Sequence, residues 1–154
     1  IYGGDNKSIS TTINRKLTDY CGHGGKVLIS GSYLISNTSS GTSESSAALR
    51  DLLKFTPGGS LPAGGSGGLN GTGIRFSIPR TANAQSYAVP TPECLLPAGG
   101  SSVVFAYDDG NYSAGTAYRG NYRTFALGFP FESIQGTAER AHIMKAILGF
   151  FATK

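Results

Sequence analysis

The final third of the chain combines strong turn signals with short apolar segments, and it constrains the fold more than any other part of the sequence. Residues 103–107 form a predicted strand, and the turn signal Asp109-Gly110 leads to a second predicted strand over residues 113–118. A further glycine turn precedes a third strand over residues 122–127. A closing helix is then predicted over residues 137–151, with its buried face formed by Ala141, Met144, Ile147, Leu148 and Phe151. The sequence therefore predicts an antiparallel meander followed by a C-terminal helix.

The first half of the chain predicts a helix, a buried strand and a second helix. Residues 8–20 carry apolar side chains at helical spacing: Ile9, Ile13, Leu17 and Tyr20. Residues 26–30 are apolar without alternation, which is typical of a strand covered on both faces. Residues 43–55 predict the second helix, and a helix followed directly by a buried strand indicates an α/β unit.

The middle of the chain is dominated by glycine. Residues 56–73 are predicted to be a long surface loop within the domain, because such glycine density opposes regular structure. The segment lacks the Gly-Lys-Ser/Thr sequence that ends a phosphate-binding loop. Residues 74–78 alternate and predict a strand, and residues 87–89 predict a short extended piece.

These elements predict one α/β domain over residues 1–154. We expect a three-layer sandwich with a mixed, mainly parallel sheet, the meander near the C-terminus and the C-terminal helix on one face. The opening residues, Ile1 to Gly4, resemble the end of a buried strand. We therefore expect an incomplete piece of a larger domain that lacks N-terminal elements.

Composition restricts the partners and the compartment. Charged residues make up only 14% of the chain, and the 13 basic residues are scattered, so no nucleic-acid partner is expected. No apolar run approaches the roughly 20 residues of a membrane span. The uncharged polar surface suits an exported protein. The pair Cys21 and Cys94 leaves open a disulfide or two buried thiols, the latter being the default interpretation.

The turn after the buried strand is the first candidate catalytic position. It carries Ser30, Ser32 and Tyr33, but it does not match Gly-x-Ser-x-Gly, and a glycine-permitted strand end with exposed hydroxyls is the favoured interpretation. A serine nucleophile needs a base, and His142 is the candidate, with a solvated histidine as the alternative. A Cys21–His23 pair is a further alternative, although Cys21 lies near a helix end.

Binding chemistry is the second possibility. Asp109 lies in a stretch better explained as a turn than as a calcium loop, and the His and Cys spacings form no zinc motif, so no metal or cofactor is expected. Tyr33, Tyr112 and Asp109 are the candidate ligand-binding residues. The tyrosines of the meander can stack on sugar rings or fill the core, and packing is the simpler interpretation.

Two segments carry a resemblance to a known family. Residues 24–33, GGKVLISGSY, and residues 118–132, YRGNYRTFALGFPFE, resemble an α/β module of exported bacterial proteins labelled xanthan lyase or golvesin-like. That module is similar in turn to class I glutamine amidotransferase-like domains, which are flavodoxin-like. Active members of that class carry a cysteine on the strand turn and a His-Pro-Glu segment before the last helix. Here the turn has Ser30 and Ser32, and the late segment lacks histidine.

The resemblance therefore implies a fold without its ancestral amide chemistry. It implies a non-catalytic structural or binding module of an exported protein that processes polysaccharide or the cell envelope. The expected partners are other parts of the same polypeptide and carbohydrate. The alternative is a hydrolase or polysaccharide lyase domain with its site at residues 30–33.

Overall fold

A computed structural model describes residues 11–32, 34, 44–62, 67–84, 86–108 and 112–153. The helices are α1 (Thr11–Gly22), α2 (Glu44–Leu53) and α3 (Thr137–Ala152), and a short 3₁₀ turn covers Phe131–Ser133. The strands are β1 (Lys26–Ser30), β2 (Phe55–Ser60), β3 (Gly68–Gly71), β4 (Ile74–Ser77), β5 (Glu93–Pro97), β6 (Ser102–Tyr107), β7 (Ser113–Arg119) and β8 (Arg123–Leu127).

A six-stranded mixed sheet in the order β1-β8-β7-β6-β3-β4 forms the centre of the molecule, and β2 and β5 make a small second sheet. The α/β class, the meander β6-β7-β8 and the C-terminal helix are confirmed. The balance of strand directions differs from the expectation, because β1 and β8 are parallel whereas the other described pairs are antiparallel. Short turns join the pairs β3-β4, β6-β7 and β7-β8, and only antiparallel pairing permits such connections.

Two apolar clusters on opposite faces of the sheet produce three layers. The larger cluster joins β4, β6 and β8 to α3, and it includes Phe105, Phe125 and Ile147. The smaller cluster joins β1 to α1, α2 and the second sheet, and it includes Ile29 and Leu53. Strand β8 contributes Phe125 to the larger cluster and Ala126 to the smaller one, so helices pack on both faces of the sheet, which is the predicted sandwich.

The prediction of a continuous loop over residues 56–73 was wrong, because β2 and β3 lie within that range. Glycine here allows backbones to approach closely. A Cβ atom on Gly58 would lie 2.8 Å from the Cys94 carbonyl oxygen, and one on Gly67 would overlap the Ile78 carbonyl. The neighbouring Leu69 is completely buried. These glycines therefore allow close strand pairing, while residues 63–66 lie outside the described part of the chain.

The buried face of α1 differs from the predicted one. Ile13 and Tyr20 are 46% and 52% exposed, whereas Asn14 and Cys21 are buried and Leu17 is half-buried. Ile9 lies outside the described residues. The helix packs against α2, and this contact rotates the buried stripe away from the apolar spacing.

Helix α3 also buries a different face. Ile143 and Ile147 are fully buried, but Leu148 is 58% exposed and Ala141 is exposed. Met144 and Phe151 are half-buried. Apolar and polar side chains are mixed on every side of the helix, so periodicity alone cannot select the face that meets the sheet.

The end of α2 and the presence of β5 also differ from the prediction. Helix α2 ends at Leu53, because Lys54 adopts a left-handed backbone with φ 59° and Phe55 begins β2. Strand β5 was not predicted, and residues 87–89 belong to no strand. Pairing with β2, which lies far away in the sequence, creates β5.

Arg123 holds the C-terminal end of α3. Its guanidinium donates to the Phe151 carbonyl at 2.6 Å, and Arg119 lies over the Phe150 ring. Such a cation satisfies carbonyl groups that have no partner inside a helix and favours the negative end of the helix dipole.

Arg123→Met is therefore expected to lower the free energy of unfolding by about 1–2 kcal/mol. Urea denaturation followed by circular dichroism measures the change. Lys145→Met is the control, since Lys145 is an exposed cation on the same helix and its loss should have little effect. Equal effects of the two substitutions would show that the contact does not stabilise the helix end.

Candidate functional site

The carboxyl end of β1 marks one edge of the sheet, which we call the carboxyl edge. Ser30 pairs with Leu127, so parallel β1 and β8 end together there. Antiparallel pairing brings the start of β7 at Ser113, the end of β6 at Tyr107 and the end of β4 at Ser77 to the same edge. In open α/β sheets such an edge is the usual position of a ligand site.

The segment of residues 131–135, between β8 and α3, is fastened at the carboxyl edge by three hydrogen bonds that involve side chains. The Phe131 N–H donates to Ser30 Oγ at 3.3 Å. The Tyr87 hydroxyl donates to Glu132 Oε1 at 2.9 Å. Ser77 Oγ donates to Gln135 Oε1 at 2.8 Å. The segment is therefore held by β1, by β4 and by the loop between β4 and β5.

Ser30 has a structural role in this arrangement. Its residue is 4% exposed, and its hydroxyl oxygen accepts the Phe131 N–H. A nucleophile must present its oxygen to a substrate and deliver its proton to a base. Ser32 is half-buried, and Tyr33 and Asp109 lie outside the described residues.

His142 lies elsewhere, on the exposed side of α3. It lines a surface depression with Ala141, Lys145 and Ala146. None of these residues takes part in the described contacts of Ser30. The described part of the chain therefore gives no serine–histidine pair at the carboxyl edge.

The Cys21–His23 alternative is also without support from the geometry. The Cys21 thiol is buried, and burial raises its pKa, which opposes formation of the reactive thiolate. His23 is exposed, and its Nδ1 lies 2.8 Å from the Asp19 backbone oxygen. Cys94 is likewise a buried free thiol.

The tyrosines of the meander pack as the simpler interpretation expects. Tyr107 is completely buried and donates its hydroxyl to the Glu93 backbone oxygen at 3.0 Å. The Tyr118 and Tyr122 rings lie 5.0 Å apart. Tyr112 is half-buried against the larger apolar cluster. The predicted ligand-binding role of Tyr112 stays a prediction.

Tyr87 was missed as a candidate, although it lies at this edge. Its residue is 51% exposed while its hydroxyl is fixed by Glu132. Partial burial and the Glu132 carboxylate raise the pKa of Tyr87 to about 12, so the hydroxyl remains a donor at physiological pH. Its position in a proline- and serine-containing loop was the available sequence signal, since conspicuous aromatic residues in loops often contact ligands.

The loop that carries Tyr87 is itself well fixed. The Val89 N–H donates to the Pro79 carbonyl at 2.8 Å, and Val89 is completely buried. The Ser86 N–H donates to Asn83 Oδ1 at 2.9 Å, which closes a tight turn just before the tyrosine. The ring of Tyr87 is thus presented by an anchored loop.

Charge and metal chemistry give no further site among these residues. No three His, Cys, Asp or Glu side chains converge within the described ranges. None of the described helices is long and apolar enough to cross a membrane.

Comparison with known proteins gives likenesses of fold. No family model and no curated protein matches the chain. A solved GH42 beta-galactosidase, Gan42B, matches 94% of this chain with a TM-score of 0.62 and 12% identity. A catalytic mutant of Gan42B from G. stearothermophilus matches with a TM-score of 0.61. An exo-beta-1,4-mannosidase from Opitutaceae bacterium strain TAV5 matches 93% with a TM-score of 0.57 and 10% identity.

These matches cover nearly all of this chain but only a small part of each matched protein. The chain spans 20% of the length of the beta-galactosidase and 22% of the mannosidase. At these identities the matches establish the α/β fold and carry no residue-level correspondence. They show that the same arrangement of elements occurs as a part of much larger chains.

Proposed function

We propose that this chain is a non-catalytic binding or structural module of an exported multidomain protein that processes polysaccharide or the cell envelope. The observation that carries the proposal is the set of contacts that Ser30 makes at the carboxyl edge. Its buried serine accepts a backbone N–H, and His142, the base expected to activate it, lies on the exposed side of α3. The edge is therefore organised for holding segments together and presenting a surface.

The carbohydrate connection draws on two independent supports. The solved structures with the same fold are those of a beta-galactosidase and an exo-beta-1,4-mannosidase. The sequence resemblance to the modules labelled xanthan lyase or golvesin-like also points to polysaccharide. An exported location fits the composition of this chain, because only 14% of all its residues are charged.

The remainder of the same polypeptide is the proposed partner. Leu148 on α3 is 58% exposed, and the helix offers apolar side chains beyond those that meet the sheet. Such exposed apolar side chains can pack against another part of a longer chain. In the neighbours this fold makes up about a fifth of the chain.

The alternative is a hydrolase or lyase domain with its site at residues 30–33. The structural neighbours are glycosidases, and this favours the alternative as much as it favours a carbohydrate-binding module. The two functions differ in one measurable respect, which is turnover.

The test incubates the chain with beta-1,4-galactan, beta-1,4-mannan and xanthan. Calorimetry measures binding, and assays for reducing ends and unsaturated uronates measure turnover. We expect binding of at least one glycan without products. Product formation would overturn the non-catalytic assignment, and its loss in Ser30→Ala or Ser32→Ala, but not in the exposed control Ser102→Ala, would establish the alternative. Absence of binding to all three glycans would overturn the carbohydrate-binding role.

A further inference from the structure

We propose that Tyr87 and Glu132 form a binding subsite for a neutral pyranose at the carboxyl edge. The inference rests on the proposed carbohydrate-binding function and names the residues that would perform it. The two residues come from distant parts of the chain, 45 positions apart in sequence, and the fold joins them through a 2.9 Å hydrogen bond.

The exposed ring is the first component of the subsite. Tyr87 is 51% exposed although its hydroxyl is bound, so ring surface faces solvent while the polar end is satisfied. A pyranose has a face of C–H groups that packs on an aromatic ring, since an aromatic side chain offers a large apolar surface with an electron-rich face. An aromatic ring in this position is suited to such stacking.

The carboxylate is the second component. Glu132 is exposed at the 3₁₀ turn, and an ionised carboxylate can accept about four hydrogen bonds, of which Tyr87 provides one. Sugar hydroxyls are donors, and hydrogen bonds to a charged acceptor are roughly twice as strong as neutral ones. Glu132 can therefore bind a hydroxyl of a sugar that stacks on the neighbouring ring.

Both components are fixed before any ligand arrives. Loop contacts at Val89 and Asn83 hold Tyr87, while Ser30 and Gln135 fix the segment that carries Glu132. Because these side chains are already ordered, binding loses little conformational entropy. This preorganisation distinguishes Tyr87 from Tyr20 on α1, which is the other strongly exposed tyrosine among the residues that the structure describes.

The charge of the subsite selects the class of sugar. A uronate would place its carboxylate near that of Glu132, and like charges at short distance are unfavourable. A neutral hexose meets no such repulsion. The subsite is thus assigned to neutral sugars such as the galactose and mannose units of the glycans used above.

The experiment measures calorimetric affinity of the intact chain for beta-1,4-galactan and beta-1,4-mannan oligosaccharides and for oligogalacturonate. Tyr87→Ala is expected to weaken binding of the neutral oligosaccharides by about tenfold or more. Glu132→Gln, which keeps an acceptor for the Tyr87 hydroxyl, is expected to weaken it by about fivefold. The matched control Tyr20→Ala removes an equally exposed ring and should leave affinity unchanged. Thermal melting confirms that each variant is folded.

The outcomes separate the subsite from the proposed function. Undiminished binding in Tyr87→Ala would overturn the subsite and leave carbohydrate binding in place. Preference for oligogalacturonate would overturn its assignment to neutral sugars. Failure of the unchanged chain to bind any of the three probes, together with the xanthan measurement, would overturn the subsite and the carbohydrate-binding role together.

Discussion

Phe105→Ala is expected to lower the free energy of unfolding by about 3–5 kcal/mol, which is a large part of the stability of a domain of this size. Phe105 is 1% exposed and lies at the centre of the larger apolar cluster. Its ring makes an edge-to-face contact with Phe76 at 5.2 Å and a tilted contact with Phe125 at 6.0 Å. Alanine would leave a cavity between β4, β6 and β8 that rigid neighbours fill only in part.

Urea denaturation of the variant and the unchanged chain measures this effect. Val103→Ala is the matched control, because Val103 lies on the same strand with 48% exposure and its truncation should cost less than about 0.5 kcal/mol. If Phe105→Ala is too unstable to measure, Phe105→Leu provides a milder step of about 1–2 kcal/mol. Similar costs for Phe105→Ala and Val103→Ala would contradict the assignment of the core.

Stability is expected to fall steeply as the pH rises from about 9 to 12. Burial and the neighbouring Glu93 carboxylate raise the pKa of Cys94 from 9.0 to about 11. Burial raises the pKa of Tyr107 well above its ordinary value, and burial together with Glu132 raises that of Tyr87 to about 12. In this pH range the unfolded chain releases protons that the folded chain retains, so each increase in pH favours unfolding.

Cys94 alone is expected to account for about 3 kcal/mol of this loss, complete once the pH exceeds its folded-state pKa. The residue is 1% exposed, so solvent screening does not diminish the effect. Free energies of unfolding measured by urea at intervals of pH from neutral to strongly alkaline would show the decline. Cys94→Ala should reduce the slope between pH 9 and 11, which is the window between the two pKa values of this thiol. An unchanged slope in that variant would contradict the explanation.

The elements predicted correctly have local causes. Strand β1 matches residues 26–30, because an uninterrupted apolar run of that length is typical of a strand covered on both faces, and it is so covered although it lies at one end of the described sheet. The meander followed from short strands separated by turn residues, although the turn at residues 109–111 lies outside the described part. Helix α3 followed from composition and spacing over Thr137–Ala152.

The errors have a common cause in long-range contacts. The glycines of β2 and β3 oppose strand formation locally, yet the close approach of other strands favours them. The buried faces of α1 and α3 depend on which surface meets the neighbouring layer. The side-chain spacing does not identify that surface where apolar side chains occur on several sides of a helix, as in α3.

The candidate site was likewise predicted only in part from the sequence, and the rest depended on long-range contacts. The sequence directed attention to the turn at residues 30–33 and to the absence of histidine from residues 129–132. It gave no reason to join Tyr87 to Glu132, because their contact depends on the loop after β4 folding over the end of β8. The role of Ser30 as an acceptor for Phe131 likewise depends on the pairing of β1 with β8.

The sequence by itself determined the class of fold, the buried strand β1, the meander and the closing helix, since turn residues and apolar periodicity act over a few positions. The tertiary structure decided the strand directions, the helix faces and the composition of the carboxyl edge. These features depend on contacts between residues that are far apart in the chain, and such contacts are fixed only when the layers pack together.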